Sequence, residues 1–144
     1  MQINSNSKKL AILAPVEMSY LKTAIYRVYP YHNKVAFGAD KVNEMKIIRD
    51  DFLKAKKIQK DVNVYICASD SIKYKAILVD EFILDNQVKK RHPDPWGWWN
   101  KDFKSYYTVK NVKACNLPLN SFKSFQTDKI IEHVERPLKV IDPQ

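Results

Sequence analysis

Glycine is nearly missing from this chain, with two among 144 residues. Gly38 and Gly97 are the whole supply, so no glycine-rich turn can wrap backbone N–H groups around a phosphate. That excludes the P-loop and the dinucleotide fingerprint, and the Gly-x-Ser-x-Gly elbow of the α/β-hydrolases is missing too. Histidine and cysteine are scarce as well. His32, His92 and His133 have no second ligand at metal spacing, and neither Cys-x-x-Cys nor His-x-x-x-His occurs, so neither a metal nor any other cofactor is expected. No run of about 18 apolar residues is present, which speaks against a membrane span. Residues 1–9 are polar and lack the apolar core of a signal peptide. Cys67 and Cys115 fall in apolar segments, as buried thiols of a reducing compartment do, although spacing alone does not decide whether they pair. A cytoplasmic protein is expected.

Negative charge is in short supply. Sixteen Asp and Glu face 25 Lys and Arg, for a net charge of +9 and a pI near 9.5. A domain this basic has the electrostatic footprint of a polyanion binder. The acidic pairs Asp50-Asp51 and Asp80-Glu81 are sequence neighbours, and on a strand the second pair would point to opposite faces, so neither forms an acid/base dyad. No catalytic residue set is legible, and a non-enzymatic role is expected.

Unusual chemistry is concentrated in one stretch, His92 to Phe103, which holds all three tryptophans (Trp96, Trp98, Trp99), two prolines and Gly97. Lys89, Lys90 and Arg91 lead in. Indole faces beside positive charge suit a flat base next to its phosphate, whereas the plain alternative is a loop whose tryptophans plug the end of a core. Tyr26, Tyr29 and Tyr31, with Arg27 and His32, read as a partly buried aromatic loop.

Along the chain, Lys9 to Val16 reads as a buried first strand. A helix is expected from Ser19, as N-cap, to Pro30, then a short extended piece from Lys34 broken by Gly38. Asp40 or Asn43 would cap a helix with Met45, Ile48, Phe52 and Ala55 on its apolar stripe. Lys46 and Arg49 near its N-terminus are candidate phosphate ligands. Val62 to Ala68 alternates as a strand, and Tyr74 to Leu84 reads as its antiparallel partner across a turn longer than two residues. Ser105 to Ala114 is a further strand with Tyr107, Val109 and Val112 inward. Ser121 or Thr127 would cap a C-terminal helix with Ile130, Ile131 and Val134 on one side, ended by Pro137. Residues 1–136 would form one domain, with 137–144 a tail, strand remnant or start of a linker.

This order of elements resembles the PUA-like superfamily and, within it, the EVE branch, with YTH-like and ASCH-like domains as cousins. Carrying the resemblance are Lys60-Asp61-Val62-Asn63-Val64-Tyr65-Ile66 after the basic helix, the turn at Ser69, the loop His92-Pro93-Asp94-Pro95, and Tyr107-Thr108-Val109-Lys110-Asn111-Val112 running into Leu117-Pro118-Leu119. Lys60 stands where those domains carry glycine, and their "Tyr-Trp" start is absent. The resemblance implies an α+β fold, a small mixed five- to six-stranded β-barrel flanked by helices. It also implies binding of nucleic acid, DNA favoured over RNA, with a modified (methylated) base held in an aromatic pocket. Trp96, Trp98 and Trp99 would form pocket walls, Tyr65 would line it, and Ser69, Asp70 and Asp94 would read the base edge. Lys46, Arg49, Lys89, Lys90 and Arg91 would hold phosphates. Some EVE-like modules serve modification-dependent restriction, fused to or associated with an effector such as a nucleotide-driven nuclease. The alternatives are a PUA-like RNA-binding protein and an ASCH-type hydrolase or nuclease.

Overall fold

The computed structural model describes residues 8–39, 41–84 and 105–144, apart from the side chains of Arg27, Val28, Tyr31 and His32. The elements run β1 (Leu10–Pro15), α1 (Met18–Thr23), a π turn (Ala24–Val28), α2 (Tyr29–His32), β2 (Lys34–Ala39), α3 (Val42–Ala55), β3 (Asn63–Ala68), β4 (Ser71–Ile83), β5 (Ser105–Ala114), a 3-10 turn (Leu119–Ser121), β6 (Lys123–Ser124) and β7 (Leu138–Ile141). The strands form one mixed sheet in the order β2-β5-β4-β3-β1-β7-β6. Its parallel pair is β1 with β3, and parallel neighbours need a long crossover, which α1, α2, β2 and α3 supply.

Strand β1 explains the layering. Leu10, Ile12 and Ala14 point into the larger core, with Val64, Ile66 and Ala68 of β3 beside them and Met45, Ile48, Phe52 and Ala55 of α3 packed above. Ala11 and Leu13 point the other way, into a second core with Tyr65, Cys67, Phe122, Val134 and Val140. A strand covered on both faces must be apolar at every position, which is why residues 10–14 show no alternation. Val35, Phe37 and Ala39 of β2 share the larger core with β1 although three strands separate them in the sheet. The sheet therefore curls around that core.

The expected α+β class holds, with the described strands forming an open seven-stranded mixed sheet in place of the expected five- to six-stranded barrel. Among the described residues, β2 and β6 end the strand order and do not pair with each other. The extra strands come from the C-terminal part of the chain, and the helix expected there is absent. Ile130 instead bridges Lys123, and the Ile131 N–H donates to the Phe122 carbonyl at 2.9 Å. Ile130 is 53% exposed, so its spacing from Val134 reported no buried face. Leu138–Ile141 is strand β7, paired with β1 and β6.

Two local details also differ from expectation. The β3–β4 connection is only two residues, Ser69-Asp70, with φ of 53° and 61°. Positive φ at both central residues marks a type I′ turn, whose twist matches that of the flanking strands, so β4 begins at Ser71 rather than Tyr74. Helix α3 has Lys41 at its N-cap with no side-chain cap, in place of Asn43, and Asp40 lies outside the described residues. In the first helical stretch Pro30 has no N–H and its ring crowds the preceding turn. The chain widens there, the Tyr29 N–H donating to the Ala24 carbonyl, and it stops at Asn33 in the left-handed region (φ 57°).

The second core rests on Tyr65. Its ring meets Phe122 edge-on at 4.9 Å, and its hydroxyl donates to Asp142 at 2.7 Å. Burial first, then the bonded Asp142 carboxylate, holds this phenol well above its ordinary pKa, as a permanent donor. Phe122→Ala should cost about 3–5 kcal/mol by leaving a cavity, and Tyr65→Phe about 2 kcal/mol by stranding one carboxylate acceptor. Urea denaturation of both variants checks this. A Tyr65→Phe cost exceeding that of Phe122→Ala would contradict it.

Candidate functional site

A cleft of about 450 Å³ opens where the C-terminal ends of β1, β2 and β3 meet the start of α3. Its floor is apolar, from Val16, Ala39, Met45 and Ile48, with Tyr20 on one wall. The β3–β4 hairpin tip contributes Ser69 and Asp70, and the segment 133–137 closes the remaining side. Among the described residues four carboxylates (Glu17, Glu44, Asp70, Glu135) line it, against Lys41, Arg136 and His133. The cleft of this basic protein thus has an acid-leaning rim.

Asp70 organises the rim. One carboxylate oxygen meets His133 Nδ1 at 2.7 Å, and the other accepts the Val134 N–H at 3.0 Å. The β-hairpin tip is thereby clamped to the segment that forms the opposite wall. The bond to His133, then that to Val134, holds the Asp70 carboxyl below its usual range. The same bond, with the Asp70 charge, raises His133 above its ordinary value, and Glu135 adds to the effect. Arg136 Nε stands 3.5 Å from Glu44, an ion pair across the mouth between the C-terminal wall and α3.

Left-handed backbone at Ser69 and Asp70 costs roughly 1–2 kcal/mol per residue where a Cβ is present, least for Asp. Glycine would adopt this turn without that cost, yet the chain places two hydrogen-bonding side chains there. Cys67 lies behind the tip, 1% exposed. Burial, and secondarily the Asp70 charge, pushes its thiol up to about 12, so it packs as a protonated group and not as a nucleophile. Cys67 and Cys115 are both free.

Of the residues singled out by sequence, Ser69 and Asp70 lie together in this cleft. Tyr65 does not line it: the ring is fully buried on the opposite side of the sheet. Alternation along β3 sends residue 65 away from the face that carries Val64 and Ile66. Lys46 is exposed on α3, outside the cleft lining. Arg49 is half-buried, 3.6 Å from Asp50, with its Nε lacking a partner among the described residues. Trp96, Trp98, Trp99, Asp94, Lys89, Lys90 and Arg91 lie outside the described residues. Ser105, the first described residue after them, pairs with Ala39 of the cleft lining. His133, Glu135 and Arg136 escaped sequence reasoning, because nothing in their spacing links them to residue 70. No group of three His, Cys, Asp or Glu that could hold a metal occurs among the described residues, and none of their helices is long and apolar enough to cross a membrane.

No protein-family model matches this sequence, and no curated protein is significantly similar to it.

The Asp70–His133 clamp makes a pH prediction. Asp70 has its folded pKa depressed, so its contribution is present above the unfolded value near 3.9 and lost as pH falls through the lower folded value. His133 has its folded pKa raised, so its contribution is complete below about 6.5 and lost as pH rises through the raised value. In an NMR titration the His133 midpoint should lie above that of a free histidine and fall back in Asp70→Asn. An unchanged midpoint in Asp70→Asn would refute the pairing.

Proposed function

We propose that this chain is a non-catalytic nucleic-acid-binding domain of the PUA-like kind, closest in type to EVE, which takes a modified base of DNA into the cleft between the hairpin tip and α3. The observation that carries the reading is the tip itself. Ser69 and Asp70 stand at the mouth of a cleft with an apolar floor, held in left-handed conformations that glycine would adopt at lower cost. Positive φ is what the type I′ turn requires, but backbone strain also clusters at functional sites, and such sites combine apolar lining with a few placed polar groups. The net charge of +9 supports a polyanionic partner. The curled sheet is compatible with a barrel-derived fold.

In this reading Ser69 and Asp70 hydrogen-bond the edge of a base that has left its stack, and Tyr20 offers an aromatic face. The tryptophans Trp96, Trp98 and Trp99 enter from the sequence alone, as stacking faces on the stretch that rejoins the sheet at Ser105. Flipping a base costs a few kcal/mol, which stacking and edge hydrogen bonds offset. The acid-leaning rim suits a base edge rich in donors, and it disfavours a phosphate inside the cleft.

The test is affinity for methylated and plain DNA oligonucleotides, and for RNA of the same sequence, at two salt concentrations. The expected result is salt-dependent binding with a preference for a methylated DNA strand. Ser69→Ala should reduce that preference, and Trp96→Ala or Trp98→Ala should cost about 1–3 kcal/mol per lost base stack while the protein stays folded. Absence of binding, or binding without a salt slope, would sink the proposal. Preference for RNA would select the PUA-like RNA-binding alternative.

A further inference from the structure

We infer that the sugar-phosphate backbone of a nucleic-acid strand runs over the outer face of β4 and β5, along Lys75, Lys113 and Lys110, and not along α3. The inference rests on the nucleic-acid reading above and names the surface that would serve it.

Register places these lysines together. Tyr65, Lys75 and Lys113 form one cross-strand row, and Asn63, Ile77, Lys110 and Lys34 form the next. Ala76 and Leu78 point into the core, so Lys75 and Ile77 stand on the outer face. Asn111, in the left-handed region at φ 52°, sits in a bulge opposite Ala76, which lets residues 110 and 113 share a face although three apart. Four lysines thus occupy two neighbouring rows of three strands.

Like charges directly opposite on a sheet destabilise it, and Lys75 with Lys113 is such a pair. Among the described residues, opposite charge is sparse here. Glu81 answers Lys34 at 2.6 Å. Asp142, at the same end of the sheet, is taken by Asn63 Nδ2, the Tyr65 hydroxyl and the Gln144 N–H. Lys75 donates to an uncharged amide, Gln144 Oε1 at 2.6 Å, and lies 5.9 Å from the centre of the Tyr65 ring. Among the described residues Lys110 and Lys113 form no ion pair, and both are exposed. On α3, by contrast, Glu44, Asp50 and Asp51 stand among the cations, so the helix carries little net field.

Position supports the same conclusion. β4 begins at the residue after Asp70, so Lys75 lies five residues from the hairpin tip, roughly 16 Å along the strand. A strand crossing Lys110, Lys113 and Lys75 is therefore directed at the turn that carries Ser69 and Asp70. The acid-leaning cleft and this lysine surface divide the work, one fitted to a base edge and the other to phosphates.

The experiment compares the full chain with Lys110→Ala/Lys113→Ala and with Lys54→Ala/Lys57→Ala, two exposed lysines at the end of α3 and in the turn after it. Binding of a single-stranded oligonucleotide is measured across salt, with thermal melting of each protein alone. The first double variant should lose about 1.4 from the slope of log K against log salt, at about 0.7 per phosphate contact. It should also melt no lower than the parent, since a like-charge contact is removed. The second should keep the parent slope. An unchanged slope in Lys110→Ala/Lys113→Ala, with the parent binding, overturns this surface and leaves the nucleic-acid reading standing. No salt-dependent binding by the parent overturns both.

Discussion

Everything else in this fold depends on keeping water from both faces of β1. A central strand needs partners on two edges and cover on two faces. The chain meets the edges with β3 in parallel and β7 in antiparallel pairing, and the faces with α3 above and the Phe122–Val140 layer below. Gln59 completes the strand's entry. Its side-chain amide accepts from the Leu10 N–H and donates to the Leu10 carbonyl, both at 3.0 Å, imitating one more ladder residue. A buried backbone group left unpaired costs about 1–3 kcal/mol, so a single glutamine closes what the β3 register leaves open. Asp51 then ties the helix layer to β7 through Lys139 at 2.5 Å. The two cores are thus fastened to each other at the strand they share.

This frame places strain where it can be tolerated. Strands β3 and β4, paired over most of β3, over-determine the two-residue turn between them. Ser69 and Asp70 can stay in left-handed conformations because the ladder holds them and because the I′ geometry suits the sheet's twist. Asp70 uses that fixed position to grip His133 and Val134. A turn chosen by register has become the anchor of a cleft wall.

How much of this was legible depended on whether a signal was local. The stripe Met45, Ile48, Phe52 and Ala55 reports one helix against one core, the alternation from Val62 to Ala68 separates the two faces of β3 between two cores, and both lie in the structure as their spacing implies. The limits of Ser105–Ala114 were equally readable. The C-terminal part was not, because Ile130, Ile131 and Val134 happen to fit a helical period while Ile130 and Ile131 fold back on Lys123 and Phe122 as extended chain and Val134 bonds Asp70, far away in sequence. The site was legible by half. Ser69 and Asp70 announced a turn with hydrogen-bonding side chains, but the partners of Asp70, His133 and Val134, lie more than sixty residues on. Tyr65 entered as a pocket residue through the family resemblance, while its odd position in an alternating strand assigned it to the other core.

Charge is distributed unevenly enough to constrain what the molecule can hold. A surplus of nine positive charges could have gathered at the one cleft that joins β1, β2, β3 and α3, yet that cleft is lined by four carboxylates. A phosphate drawn inside would meet Glu17, Glu44 and Glu135 at close range and lose its hydration as well, a combination that favours leaving it in water. For the polyanionic partner proposed above, the positive field would act from outside the cleft, where lysines on a rigid sheet can orient a polyanion without entering it. Such a division lets affinity and selectivity be set by different residues. Phosphate contacts position a strand, and only contacts to the base edge distinguish one sequence or modification from another. In the nucleic-acid reading proposed above, the hairpin tip, rigid and acid-flanked, would belong to the second kind.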